Sequence, residues 1–110
     1  MRLKWKVWVT FGDAVKLGDG RAHLLELIDE LGSLRQAVDR LGMSYRNAWG
    51  YLRDLEKAAG FPLLERRGRG PSGGMCLTPE ARAFLKRYGQ FRSKVESLVV
   101  REFSKAFKAE

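Results

Sequence analysis

The chain holds one cysteine and one histidine among its 110 residues. Cys76 alone cannot close an internal disulfide, which fits a reducing compartment, and it has no second thiol for metal or redox work. His23 has no partner residues for nucleophilic or general-base chemistry and reads as a surface or boundary side chain. Gly68-x-Gly70 precedes no helix and lacks a Walker lysine, so a phosphate-cradling nucleotide site is unsupported. An enzyme, a resident metal and a cofactor are therefore not expected. No apolar run approaches the ~20 residues of a membrane span. Met1-Arg2-Leu3-Lys4-Trp5 alternates instead of running apolar and is no signal peptide, so a cytoplasmic location without membrane contact is expected. Repeats, low-complexity segments and interdomain linkers are missing too. With 45% apolar and 31% charged residues, the composition is that of a single folded domain.

What the chain does have is positive charge, +8 overall from 21 basic and 13 acidic side chains. Residues 1–30 are neutral, with five of each sign. Residues 31–70 carry eight basic side chains (Arg35, Arg40, Arg46, Arg53, Lys57, Arg66, Arg67 and Arg69) against four acidic, and residues 71–110 repeat that eight-to-four balance. A polyanionic partner suits such an excess.

Periodicity predicts the elements. Residues 3–11 alternate, with Leu3, Trp5, Val7, Val9 and Phe11 on one face, as in a half-buried strand. Gly12-Asp13 is a turn, and residues 14–17 return as a second strand to make a hairpin. Trp8, on the polar face, is the exception: either simply exposed or covered by a partner subunit. Asp19 is expected to cap a helix over residues 20–31, with Leu24, Leu27, Ile28 and Leu31 facing inward. Gly32 ends it. Ser33, with Gln36 three residues on, forms a capping box for a helix bearing Leu34, Ala37, Val38 and Leu41 on its buried stripe. Gly42 makes the next turn, and Ser44 caps a third helix running to about Ala59. Residues 62–66 and 74–77 read as two strands around a glycine-rich loop. Thr78-Pro79 then starts a helix of ~30 residues, or ~45 Å at 1.5 Å per residue, ending near Lys108.

The expected architecture is mostly α with small β. It is a winged helix-turn-helix with an N-terminal β-hairpin over residues 1–78, and a long C-terminal dimerisation helix over 79–110 within the same domain. At 100° per residue, Ala48, Leu52, Leu55 and Ala59 make the third helix's core face. Arg46, Gly50, Arg53 and Lys57 lie opposite, with Trp49 on the shoulder. The charges on this arc are all positive, and a mid-helix glycine costs ~1 kcal/mol relative to alanine. Gly50 makes sense where a phosphate backbone or base edge must come close, or where another helix packs. In this motif the N-terminal end of the recognition helix enters the major groove, and here it offers Ser44, Tyr45, Arg46 and Asn47. Arg46 can contact guanine through two hydrogen bonds, and Asn47, pointing away from Arg46, ranks below it. Ser33 and Arg35 suit phosphate at a helix start. Arg66, Arg67 and Arg69 reach flanking backbone or minor groove from the wing.

Gly32-Ser33, Ala37, Leu41, Ser44, Leu52, Leu55-Glu56, Gly60, Pro62-Leu63 and Arg66 resemble the helix-turn-helix signature of LysR-type regulators. Ser44-Tyr45-Arg46-Asn47-Ala48-Trp49, followed by Glu65-Arg66, the glycine-rich stretch and Leu77-Thr78, resembles the N-terminal domain of ModE-type, molybdate-responsive regulators more closely. The resemblance covers nearly the whole chain and implies DNA binding as a homodimer in the prokaryotic cytoplasm. Those regulators also carry C-terminal oxyanion-binding domains. The sequence to Glu110 has none, which leaves direct molybdate binding doubtful.

In the last helix, Ala81, Phe84, Tyr88, Phe91, Val95 and Leu98 follow a near coiled-coil spacing, widened by Leu85, Val99 and Phe103. A helix this long outruns a core of some 75 residues and exposes aromatic surface unless a second copy covers it. The expected function is a sequence-specific regulator of transcription, binding a pseudo-palindromic operator in double-stranded DNA as a homodimer. The alternative is an architectural protein that coats DNA without choosing sequence.

Overall fold

The computed structural model describes residues 1–68 and 74–107. The expected order of hairpin, three helices, wing and long helix is observed. β1 (Val9–Phe11) and β2 (Val15–Leu17) pair antiparallel, with Val9 opposite Leu17 and Phe11 opposite Val15. The first strand is shorter than the alternation implies. Leu3, Trp5 and Val7 are half-buried between exposed neighbours, so period two persists. β2, however, gives way to a helix after three residues, and among the described residues no strand pairs with the chain before Val9.

α1 (Asp19–Leu31) begins one residue earlier than expected, and Asp19 is not its cap. Gly18 holds that position without a side-chain hydrogen bond. Its Cα lies so near the indole of Trp8 that a Cβ there would stand 2.6 Å from Trp8 Cδ1. The Asp19 carboxylate turns instead to the far end of the chain. It accepts from Tyr88 Oη at 2.6 Å and from Arg92 Nε at 2.7 Å.

α2 (Leu34–Leu41) and α3 (Tyr45–Ala59) start as their caps dictate. Ser33 Oγ accepts from Gln36 N at 3.1 Å and Ser44 Oγ from Asn47 N at 3.2 Å. Each satisfies an otherwise orphaned helical N–H, a contribution of ~1 kcal/mol. Between the two helices Gly42 turns the chain at φ 67°, a conformation glycine adopts without a Cβ penalty. β3 (Leu64–Arg67) and β4 (Gly74–Leu77) form the wing, with Leu64 opposite Leu77 and Arg67 opposite Gly74. Met75 N donates to Gly32 O at 2.9 Å, which ties the wing to the junction of α1 and α2.

α4 (Pro79–Ala106) is capped by Thr78, whose Oγ1 accepts from Ala81 N at 3.1 Å and donates to Pro62 O at 2.6 Å. Leu17, Leu24, Leu25, Ile28, Val38, Leu55 and Leu77 are fully buried at the centre, and Ala81, Leu85 and Tyr88 bring the first part of α4 onto them. Beyond Tyr88 the helix leaves the core. The molecule accordingly measures 61 × 28 × 22 Å.

Candidate nucleic-acid interface

On α3, Ala48, Leu52 and Leu55 are buried while Arg46, Arg53 and Lys57 are exposed, as the angular reading requires; Ala59, expected on the core face, is only half-buried, and Asn47 is exposed as well. Gly50 stands between the arginines with nothing within 4 Å of where a Cβ would be. Among the described residues, then, helix packing does not explain that glycine. Tyr45 and Trp49 are half-buried against the core and meet edge to face, with ring centroids 6.4 Å apart. The Arg35 guanidinium lies 4.1 Å from the Tyr45 ring centroid, so the start of α2 is held against the first turn of α3. Ser33 and Ser44 use their hydroxyls as caps.

The wing adds to the same edge of the molecule. Arg67 Nη2 donates to the carbonyl of Asp29 at 2.8 Å, near the C-terminus of α1 and beside Gly32-Ser33. Arg66 is exposed on β3, and Arg69 lies outside the described residues. The frame beneath the wing rests on Asp29. Its carboxylate accepts two hydrogen bonds from the Arg82 guanidinium, at 2.9 and 3.1 Å, and a third from Leu77 N at 3.0 Å. The Arg82 hydrogen bonds hold the carboxyl below the ordinary carboxylate range; the Leu77 N–H adds to them, and partial burial opposes both. For Asp19, the Tyr88 hydrogen bond comes first and Arg92 adds to it, again lowering the pKa against burial. Tyr88 is pushed up to about 12 by burial and by its bond to Asp19.

A second cluster escaped the sequence reading. The hairpin, the start of α1 and the first two turns of α3 enclose an open groove of about 870 Å³ lined by Lys6, Trp8, Lys16, Arg21, Asn47 and Tyr51 among others. Lys16 Nζ lies 4.7 Å and Lys6 Nζ 5.6 Å from the Trp8 ring centroid, and the Arg21 guanidinium 4.5 Å from that of Tyr51. Tyr51 Oη donates to Lys16 O at 2.8 Å, joining α3 to β2. Burial raises the Tyr51 pKa to about 12, partly offset by Arg21. The alternating outer face of the hairpin could have singled out Lys6, Trp8 and Lys16. Arg21 and Tyr51 are brought there only by the tertiary fold.

Among the described residues, no group of three or more His, Cys, Asp or Glu side chains could hold a metal ion. No helix among them is long and apolar enough to cross a membrane. Cys76 is buried on β4, and His23 is exposed on α1, 3.8 Å from Glu26.

Two helices about a tight glycine turn, with a hairpin wing hydrogen-bonded to the first helix junction, define the winged helix-turn-helix class. Residues 21–82 match the model of the bacterial regulatory helix-turn-helix proteins of the lysR family, more than half of the chain. The chain belongs to that family. Similar relatives are the transcriptional regulator ModE of Haemophilus influenzae, 39% identical over 69 residues (62% of this chain, 27% of that protein), and the DNA-binding transcriptional dual regulator ModE of Escherichia coli K12, 32% identical over 87 residues (79% and 30%). The molybdenum-pterin-binding protein MopB of Rhodobacter capsulatus is 28% identical over 85 residues (76% and 32%). The chain thus spans about a third or less of the length of these relatives. In fold it is similar to the BenM DBD in its crystal structure with catB site 1 DNA. The TM-score is 0.58 at 24% identity, covering 81% of this chain and 94% of that one.

Proposed function

We propose that the chain is the DNA-binding part of a sequence-specific transcription regulator that acts as a homodimer. The observation that carries this reading is the outer face of α3, where Arg46 and Arg53 flank an unobstructed Gly50. The first turn of α3 enters the major groove, with Arg46 on a guanine edge, ahead of Asn47, which turns to another side of the helix. The start of α2, with Ser33 and Arg35, sits on phosphate. The wing, with Arg66, Arg67 and Arg69, follows the flanking backbone or minor groove. Beyond Tyr88, α4 supplies the dimer contact through Phe91, Val95, Leu98, Val99 and Phe103, giving two recognition helices for a pseudo-palindromic operator. Phe84 and Tyr88, expected in that seam from their spacing, are taken up inside the domain. Phe84 packs on Phe11 and Phe61 at 5.4 and 6.4 Å between ring centroids, and Tyr88 is 6% exposed.

Selection of bound fragments from genomic DNA, with and without molybdate or tungstate, tests the reading. A regulator enriches a two-fold site and binds it at least ~10³-fold more tightly than random DNA at physiological salt. An architectural protein shows a steep salt slope and little preference. Arg46→Ala is expected to lower discrimination at one base position by ~1–3 kcal/mol. Equal weakening on all sequences would remove Arg46 from base reading.

A further inference from the structure

The first 30 residues sum to zero charge, but the fold separates the signs. Asp29 is engaged by Arg82 and Leu77, away from the hairpin. Asp19 reaches the edge of the groove between hairpin and α3, where Tyr88 and Arg92, the latter shared with Glu96, engage it. That leaves Lys6, Lys16 and Arg21 lining the groove with one carboxylate, Asp54, that is in no ion pair among the described residues. None of the three cations is in an ion pair among the described residues. Two ammonium groups share a single indole, that of Trp8. Bringing like charges to one ring is unfavourable by itself, and an anion placed between them relieves the repulsion. The groove is also continuous with the recognition helix, since Ser44 and Asn47 form part of its wall.

We infer that this groove takes the sugar–phosphate backbone of the same duplex whose bases α3 reads. Lys6, Lys16 and Arg21 contact phosphate, while Trp8 and Tyr51 hold their heads in place. The inference rests on the proposed DNA reading and extends the contact surface to the N-terminal hairpin, outside the helix-turn-helix and wing. A phosphate contact carries no base preference, so its signature is electrostatic.

The test is the salt dependence of binding to a short duplex of arbitrary sequence, for the wild-type protein, Lys6→Ala/Lys16→Ala, Arg21→Ala and a Lys94→Ala control on the exposed side of α4. The slope of log K against log salt falls by ~0.9 for each phosphate contact removed. The double variant is expected to lose ~1–2 units of slope and Arg21→Ala ~1, with base discrimination unchanged, while Lys94→Ala keeps the full slope. Lys16→Arg, which keeps the charge, should retain it. All these side chains are exposed, so melting temperatures should stay near that of the wild type. Unchanged slopes in both groove variants overturn the inference while leaving the α3 reading intact. If the wild type binds no duplex even at low salt, both fall together.

Discussion

Asp29 shows how much one side chain organises. It joins α1 to β4 through Leu77 N and to α4 through Arg82, in a two-toothed geometry that favours guanidinium over ammonium. Asp29→Asn keeps the shape and removes the charge, and should destabilise the domain by about 1–2 kcal/mol, measured by denaturant unfolding at neutral pH. The sign of the pH dependence follows from the lowered folded-state pKa. Such a carboxylate stabilises fully above the unfolded-state value of about 4 and loses that contribution as pH falls through the lower folded value. The gap between wild type and Asp29→Asn should therefore close below about pH 4; a constant gap would mean that charge is not what Asp29 contributes. Gly50 makes the opposite case. With open space around its missing Cβ, Gly50→Ala should raise stability by up to ~1 kcal/mol and yet weaken DNA binding, because the methyl group would stand where the proposed function brings the duplex. Calorimetric melting and titration of one preparation check both halves, and unchanged affinity would refute the close approach. The sequence marked Gly50 as costly but left two reasons open. Only the structure removes packing among the described residues.

Elements were legible where their signals are local. Ser33, Ser44 and Thr78 begin helices in the sequence and in the structure alike, because a cap needs only an N–H three residues on. Asp19 failed as a cap for the complementary reason. Its partners Tyr88 and Arg92 lie 69 and 73 residues away, and no local pattern reports them. The strand expected over residues 3–11 shrank because alternation records which face is buried, whereas pairing depends on the length of the opposing strand. The exposed face of α3 could be read by angle, but the groove beside it required Arg21 and Tyr51 to be assembled from separate elements. The wing carries the prediction at this scale. A Cβ at Gly74 would stand 2.1 Å from Gly32 O, so Gly74→Ala must push β4 off the α1–α2 junction and break the bond from Met75 N. Forced overpacking of this kind costs ~1–3 kcal/mol, and the Met75 amide should lose hydrogen-exchange protection. If that protection survives, the backbone contact is not what seats the wing.

The molecule as a whole is long because α4 outruns its core, and what it exposes there includes an apolar stripe. Phe91 is 49%, Leu98 48% and Phe107 54% exposed, while Phe84, Leu85 and Tyr88, nearer the start of the helix, are taken into the domain. The helix changes roles near Tyr88, where the Asp19–Tyr88–Arg92 bonds and the stacking of Arg92 on Trp5 at 4.8 Å fasten it to α1 and to the N-terminal chain. From that clamp to Phe107, α4 projects as a lever that carries an apolar stripe among charged side chains. A second copy meeting it about a two-fold axis would set the separation of two recognition helices, and with it the spacing of half-sites. Leu98→Glu puts a charge into that face without touching the core, so the folded domain and its melting temperature should persist while sedimentation equilibrium shows a monomer. Each half-site is then bound singly. Affinity for a full two-fold site should fall by ~10²-fold or more toward that for one half-site, since the second contact is no longer intramolecular. The half-site affinity itself should not move. A Leu98→Glu protein that still sediments as a dimer would place the dimer contact elsewhere on the molecule, and the apolar end of α4 would need a different occupant.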